Sequence, residues 1–454
     1  MLLHGRIAAA PNDFANGPRI GARWVEPEVG QWPKLALLLG SDAFRDAHRV
    51  DPTDFTRKRS LTLPTLVAFL LQLTGGTALQ YALDSFFDAL HGRAIGLREV
   101  TKSAFSQARK KLKASALSSL NRFWSEQWHE SLEFERWCGL RVVAGDGTCL
   151  RLPKWAENIK AYGWGPQNDG SVVMARCVAL LATATRQVLD IVVGRYDDGE
   201  RALLLRSLGV LKSDDVLVLD RGYPAWWLFA ALQDKAVQFC MRLDGCGWAG
   251  AKQLLGSSQQ ELIVSHRLSA RDRRELEALG IDTKHSTICV RLIKVCLPNG
   301  HLEVLATSLQ DAQRYPAQAF GALYGSRWGV EEAFKTIKQR LDLEGFSGEL
   351  PHAIEQEIHA KALMYNITQA LCWQATQQLD TAKRAHWSVN SAYALKHLGK
   401  VILCWLRGVP AELEGLIDSL VEMLSRTLEK TRPNRSFPRN HAIGGAQRPR
   451  KAYR

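Results

Sequence analysis

The central part of the chain alternates short apolar runs with longer amphipathic segments. Between residues 139 and 243, the apolar runs predict strands and the 3.6-residue periodicity predicts helices. The predicted order is strand 140–145, strand 171–183, strand 187–194, helix 199–210, strand 215–219, helix 224–235 and strand 236–242. Three consecutive strands followed by alternating helices and strands indicate an α/β domain.

The regions on either side have a mostly helical pattern. Upstream, helices are predicted from Leu63 to the break at Gly75-Gly76, over 78–90 and over 103–123; downstream, they are predicted over 352–378 and 388–426. Residues 244–311 include predicted strands at 286–297 and 302–308, which indicate a β-rich insertion. We therefore predict four regions: a helical N-terminal region (1–137), a central α/β domain in two pieces (138–243 and 312–378), the β-rich insertion (244–311), and a helical C-terminal region with a basic tail (379–454).

Two of the predicted strands are followed directly by an aspartate. Asp146 follows the run 140–145 and precedes Gly147, which would permit a sharp turn, and Asp220 follows the buried-type strand 215–219. An Asp at the carboxyl end of a buried strand in an α/β domain tends to open onto the active crevice. Strand-ending Asp residues are also common turn formers, so neither residue is decisive alone.

A third carboxylate, Glu331, lies in a segment with a helical pattern. On a helix, Arg327, Glu331 and Lys338 fall within roughly 40° of one another, and Tyr324 continues this line one turn earlier. A separate apolar stripe would face a core; it consists of Val330, Phe334, Ile337 and Leu341. A carboxylate between two cations is suited to a metal ion beside a phosphate backbone. The alternative is a solvated helix face with i,i+4 charge pairs.

The order of strands and acids is that of a ribonuclease-H-like domain, with Asp residues on the first and fourth strands and a third carboxylate on a later helix. In addition, the chain resembles the DDE transposases of the bacterial insertion-sequence-four family. The family signature of Tyr, Arg, Glu and Lys matches Tyr324, Arg327, Glu331 and Lys338 at every spacing. Asp146-Gly-Thr and Asp220-Arg-Gly-Tyr match its two catalytic Asp motifs. The resemblance covers roughly residues 50 to 375 and includes the segments 55–61 and 103–112.

The resemblance implies a DNA transposase with Asp146, Asp220 and Glu331 as catalytic metal ligands. Two Mg²⁺ ions, with Mn²⁺ as substitute, would bind there roughly 4 Å apart. It further implies cleavage at the element ends, a hairpin intermediate on the transposon end, and strand transfer into target DNA. Tyr324, Arg327 and Lys338 would contact the DNA backbone. The partners would be double-stranded DNA, namely the terminal inverted repeats and the target, and a second copy of the chain in a synaptic homodimer.

The charge of the chain agrees with a polyanionic partner. Its 454 residues include 59 Lys and Arg against 46 Asp and Glu, a formal net charge of +13. The predicted helix 103–123 carries Arg109, Lys110 and Lys111, which we interpret as DNA contacts of a helix-turn-helix-like reader of DNA ends. The alternative is a basic face that packs on the catalytic domain. The segment from Lys430 to Arg454 has no acid and is predicted to be a disordered basic tail that binds DNA or only solubilises the chain.

Other features exclude several classes of protein. The nine cysteines are scattered without Cys-x-x-Cys spacing, which argues against a zinc site and a disulfide framework and for a reducing bacterial cytoplasm. No apolar run is long enough to span a membrane. Gly245-Cys-Gly-Trp-Ala-Gly250 fits G-x-G-x-x-G, but we interpret it as a hinge into the insertion rather than a dinucleotide site. Two alternatives to a transposase remain: a metal-dependent nuclease that cuts without joining, and a DNA-binding protein descended from a transposase.

Overall fold

The computed structural model describes residues 31–57, 59–73, 77–166, 172–296 and 300–431, together with the backbone of residues 23–24. Its helices are α1 (Gln31–Gly40), α2 (Asp42–His48), α3 (Leu63–Gln72), α4 (Leu79–Leu90), α5 (Lys102–Lys110), α6 (Ser115–Glu130), α7 (Ala156–Tyr162), α8 (Glu200–Arg206), α9 (Trp226–Asp234), α10 (Ala249–Leu255), α11 (Ala270–Ala278), α12 (Phe320–Gly325), α13 (Trp328–Arg340), α14 (Pro351–Gln377), α15 (Thr381–His386), α16 (Ser391–Arg407) and α17 (Pro410–Arg426). Its strands are β1 (Arg23–Trp24), β2 (Leu132–Glu133), β3 (Arg141–Leu152), β4 (Val173–Ala182), β5 (Gln187–Arg195), β6 (Asp215–Leu219), β7 (Gln238–Leu243), β8 (Glu261–Arg267), β9 (Thr287–Cys296), β10 (Leu302–Thr307), β11 (Trp387–Val389) and β12 (Leu428–Lys430).

The described strands form one large mixed sheet and two small two-stranded ones. The large sheet has eight strands in the order β5-β4-β3-β6-β7-β10-β9-β8. Strand β6 pairs in parallel with β3 on one side and with β7 on the other, and the remaining pairs are antiparallel. The apolar residues of β6 are fully buried because helices cover both faces of the sheet. The prediction of an α/β chain is therefore confirmed.

The two strands predicted within residues 244–311 are present as β9 and β10, together with a third strand, β8. The insertion also contributes two helices, α10 and α11. Strand β10 pairs with β7, so that β10, β9 and β8 extend the central sheet by three strands. The main-chain groups of β7 would otherwise lie on an open edge, and pairing with β10 satisfies them. The Gly245–Gly250 segment forms a turn followed by the seven-residue helix α10.

The helical regions pack together on one face of the sheet. The long helix α14 contacts α6 and β5, and its Asn366 side chain accepts a hydrogen bond from the Val188 main-chain N at 2.7 Å. Helices α3 and α16 pack against α14 in the same apolar core. Helices α8 and α9 cover the opposite face. The N-terminal and C-terminal helices thus share one core with the sheet.

Two predicted features of the N-terminal region differ from the structure. The helix predicted over 103–123 is two helices, α5 and α6, separated by residues 111–114. Arg109 does not lie on a DNA-facing surface: it is 3% exposed, and its guanidinium bonds Glu357 at 3.1 Å and Gln356 at 3.0 Å. The interpretation of Arg109 as a DNA contact is therefore wrong, and for this residue the packing alternative holds.

The two lysines that follow Arg109 differ in their surroundings. Lys110 is exposed, whereas Lys111 pairs with Asp54 at 3.0 Å. The predicted break at Gly75-Gly76 and the basic tail beyond Thr431 lie outside the described residues. Within the described ranges, no helix is both long and apolar enough to cross a membrane.

Candidate active site

Asp146 lies within a strand rather than at the end of one. Strand β3 continues to Leu152 and pairs with β4 along its whole second half, with Asp146 opposite Ala179 and Gly147 opposite Val178. The prediction of a sharp turn at Gly147 is therefore wrong. The pairing with the long β4 keeps the chain extended beyond the carboxylate, a nonlocal effect that the local Gly signal could not show.

Asp220 follows the end of its strand, as predicted. Its Oδ1 accepts a hydrogen bond from the Gly222 main-chain N at 2.9 Å, which fixes the turn after β6. In the parallel pair of β3 and β6, Ala144 lies opposite Val218. Extending this register by two residues brings Asp146 opposite Asp220. The two carboxylates therefore belong to adjacent strands at one level of the sheet.

Glu331 is in the first turn of α13, which packs on β3 and β4. The predicted apolar stripe is confirmed, since Val330, Phe334, Ile337 and Leu341 are all buried. The prediction of a single helix from Tyr324 onward is wrong in one respect: α12 ends at Gly325 and α13 begins at Trp328.

Arg327 occupies the junction between these helices and is not exposed. Its guanidinium donates to Glu331 Oε1 at 2.8 Å, and its Cζ lies 5.7 Å from the ring centre of Tyr324 and 5.6 Å from that of Trp328. Only 7% of Arg327 is accessible. The interpretation of this line of residues as a solvated helix face therefore does not hold for Arg327.

Tyr324 and Lys338 extend the site at its two ends. Tyr324 is buried, and its hydroxyl makes no well-formed hydrogen bond to any residue that the structure describes. Lys338 is half-buried, and its Nζ donates to the Cys149 carbonyl oxygen of β3 at 2.8 Å. The Lys338 ammonium is thus held over the strand that carries Asp146.

Electrostatics link the three carboxylates. Burial raises the pKa of Asp146, Arg327 lowers it, and the Glu331 and Asp220 carboxylates raise it, so that this pKa lies at about 6. A carboxyl with a raised pKa beside two further acids indicates a site with excess negative charge, which would favour a bound cation. The structure thus brings Asp146, Asp220, Glu331 and Arg327 into one electrostatic neighbourhood.

This shift predicts a pH-dependent stability. The folded-state pKa of Asp146 is above its ordinary value of 3.8, so its contribution is fully present below pH 4 and is lost as pH rises through 6. In EDTA, Asp146→Asn should therefore raise the free energy of unfolding by about 1–3 kcal/mol at pH 8 relative to wild type, and by much less at pH 4. Urea titrations at the two pH values measure this. An equal effect of the substitution at both would contradict it.

The donors fit a hard divalent cation, although they are not closed around one. In the described part of the chain, no group of three or more His, Cys, Asp or Glu side chains is assembled closely enough to hold a metal ion. One of the three acids, Glu331, is paired with Arg327 at 2.8 Å. The carboxylate oxygens of Asp146, Asp220 and Glu331 are nevertheless the ligand type that Mg²⁺ and Mn²⁺ prefer.

Sequence reasoning missed one acid that lies against the strand of Asp146. Glu200, the first residue of α8, lies against Gly147 and forms an ion pair with Arg176 at 3.2 Å. A glycine inside a strand often marks the close approach of another group. Gly147 was therefore a usable signal, but nothing near it in sequence identifies the group.

A pair of aspartates on adjacent strands with a glutamate on a later helix is the arrangement that the resemblance to DDE transposases implies. The family model described as a transposase DDE domain matches residues 137–367, just over half of the chain, and the chain belongs to this family. It is therefore a DNA-cleaving and strand-transferring enzyme of transposition.

Individual relatives agree with this assignment. The chain is 24% identical over 347 residues to the transposase InsG of insertion sequence element IS4 from Escherichia coli strain K12. The matched residues make up 75% of this chain and 76% of that protein. The expected relation to the insertion-sequence-four transposases is thus confirmed. A cryo-EM structure of the piggyBac transposase synaptic complex with hairpin DNA covers 89% of this chain and 88% of its own, with 9% identity and a TM-score of 0.46, a likeness too weak to carry a conclusion.

Proposed function

We propose that this transposase cuts its element out at the ends, through a hairpin on the transposon end, and joins it to target DNA. The observation that carries the proposal is the register of β3 and β6, which aligns Asp146 with Asp220 on the sheet that Glu331 approaches from α13. The substrate would be double-stranded DNA, and two copies of the chain would hold two ends together. The net charge of +13 supports a polyanionic substrate.

The strand order also supports a ribonuclease-H-like class for the catalytic domain. The strands β5-β4-β3-β6-β7 follow the order and directions of a ribonuclease-H-like sheet, which supports that class for residues 138–243 and 312–378. Residues 1–137 would then act in binding DNA ends, residues 244–311 would be an insertion, and residues 379–454 would form the C-terminal region.

DDE transposases generally use divalent metal. We assign its binding to Asp146, Asp220 and Glu331, with Mg²⁺ as the ion, Mn²⁺ as substitute and two ions per site. When bound, such ions activate the attacking hydroxyl and stabilise the leaving 3′-oxygen. The residues of the chain supply position and charge. Asp146 is largely ionised above its pKa of about 6, and Glu331 would bind through a carboxylate whose Oε1 now accepts a hydrogen bond from Arg327.

A turn of Glu331 away from Arg327 would also free the guanidinium for DNA. Arg327 could then contact a phosphate oxygen beside the reacting bond, and Lys338 could do so two turns further along α13. Tyr324 is the third proposed contact. Its ring packs beside Arg327, so we assign it a smaller contribution than the two cations.

Lys338→Ala should weaken binding of DNA ends and reduce the salt dependence of binding by a slope of about one, because one phosphate contact is lost. Arg327→Ala should reduce the slope similarly and also lower stability, since it leaves Glu331 without its cation. The exposed Lys335 on the same helix provides the control in Lys335→Ala. Unchanged salt slopes in both variants would show that these cations only hold the fold.

A plasmid assay tests the reaction. A donor plasmid carrying the inverted repeats that flank the gene is incubated with the purified protein, Mg²⁺ and a target plasmid. Joined donor and target DNA is the expected product, and hairpin ends are expected on denaturing gels. Cleavage without any joined product would instead establish a nuclease, and binding without cleavage would leave only a DNA-binding protein.

A further inference from the structure

Glu200 approaches the strand that carries Asp146 from the helix α8 that covers the other face. If Gly147 had a Cβ atom, it would lie 2.4 Å from Glu200 Cδ and 2.5 Å from Glu200 Oε2. The Glu200 carboxylate therefore occupies the space that any side chain at position 147 would fill. Gly147 is extended and paired within β3, so its role is to admit this carboxylate against the strand that carries Asp146 rather than to form a turn.

Tyr223 supplies an independent observation that points to the same place. Its side chain is fully buried, and its hydroxyl has no well-formed hydrogen bond within the described ranges. This hydroxyl is directed at the Glu200 carboxylate, and the negative charges of Asp146 and Asp220 also act on it. The charges of Glu200 and of both aspartates therefore act on one buried phenol.

Arg176 neutralises Glu200 and fixes its position. The Arg176 guanidinium lies 3.2 Å from Glu200 Oε1 and donates from Nε to the Tyr196 carbonyl oxygen at 3.1 Å. The next residue of α8, Arg201, donates to the carbonyl oxygens of Tyr223 and Pro224 at 2.8 and 3.1 Å. The start of α8 is therefore tied to the turn that follows Asp220.

We propose that Glu200 is a fourth carboxylate of the active site, a ligand for the divalent cation either directly or through a water molecule, and that Arg176 neutralises it until the cation binds. The inference rests on the proposed cation site. An ion pair that only fastened α8 to the sheet would need neither a glycine opposite it nor a buried phenol shared with two aspartates. Glu200 and Glu331 would approach the strand-borne aspartates from different helices, each released from an arginine on binding.

Cation binding without DNA tests this role apart from turnover. Mn²⁺ is titrated into the full-length protein, and free Mn²⁺ is measured by electron paramagnetic resonance. Glu200→Gln should weaken Mn²⁺ binding by at least about tenfold, the loss that follows removal of even an outer partner of a metal. Asp197→Asn is the matched control: it also removes one negative charge, from an exposed carboxylate that pairs with Arg195 two residues earlier in sequence. Equal effects of the two substitutions, or no effect of Glu200→Gln, would overturn the inference.

Two further variants complete the experiment. Arg176→Gln should strengthen Mn²⁺ binding, because it releases Glu200, and this opposite sign keeps the test decisive if Glu200→Gln fails to fold. Unchanged or weaker binding in Arg176→Gln would count against the proposal. Asp146→Asn reports on the proposed function itself. If Asp146→Asn weakens Mn²⁺ binding and Glu200→Gln does not, the role of Glu200 is contradicted but the proposed cation site is retained. If neither substitution weakens Mn²⁺ binding, the proposed cation site is contradicted as well.

Discussion

Asp146→Asn, Asp220→Asn and Glu331→Gln should each reduce strand cleavage by at least about a hundredfold and leave binding of DNA ends nearly unchanged. Each substitution would remove one carboxylate from the proposed cation site, where a bound ion would supply several kcal/mol of charge stabilisation in the transition state. The proposed contacts to the DNA backbone are made by other side chains and would remain. The measurement is cleavage of a labelled duplex carrying the terminal repeat, with binding followed by gel shift.

Asp214→Asn provides the control for these three substitutions. Asp214 directly precedes β6, at the opposite end from Asp220, and pairs with Arg136 at 2.7 Å. Its loss should leave cleavage within about twofold of wild type, since surface ion pairs contribute about 0–1 kcal/mol to stability. Cleavage at near wild-type rate in any of the three variants would remove that residue from the active site.

Arg109→Ala should lower the free energy of unfolding by about 3–5 kcal/mol, because it leaves Glu357 buried without its cation. Glu357 also accepts hydrogen bonds from the Ser347 and Gly348 main-chain N atoms, at 2.9 and 3.1 Å. The ion pair therefore joins α5, α14 and the loop between α13 and α14. Denaturant titration of the variant measures the loss.

Lys110→Ala is the matched comparison, since Lys110 is the next residue and is exposed. This variant should have wild-type stability. If α5 contacts DNA, Lys110→Ala should reduce the salt slope of end binding by about one, whereas Arg109→Ala should leave that slope unchanged under conditions where it is folded. A stable Arg109→Ala variant with a reduced slope would restore Arg109 as a DNA contact.

Elements that depend only on residues near in sequence could be predicted from local patterns. The strand 215–219 was predicted with its observed bounds, because a short run of Val and Leu bounded by Asp residues has few other solutions. The apolar stripe of α13 was also correct, since its spacing alone places four side chains on one side. The positions of Asp146, Asp220 and Glu331 were identified from spacing and family resemblance, whereas their convergence depends on the register of β3 and β6.

The features that sequence could not show all depend on distant partners. The burial of Arg109 is due to Glu357, which lies 248 residues further along the chain. The path of the chain beyond Asp146 depends on pairing with β4, and Glu200 reaches Gly147 only because α8 packs against that pair. Propensity and periodicity depend only on residues that are near in sequence, so they cannot predict contacts between residues that are far apart in the chain.

The union of the insertion with the central sheet limits how far this enzyme can be shortened. Residues 244–311 resemble a removable accessory in sequence, yet their strand β10 covers the edge of β7 beside the catalytic strands. A miniaturised transposase without them would expose the main-chain donors and acceptors of β7, a template for aggregation between copies. A compact version of the enzyme therefore has to retain β10, or to replace it with a strand or a charged edge that protects β7.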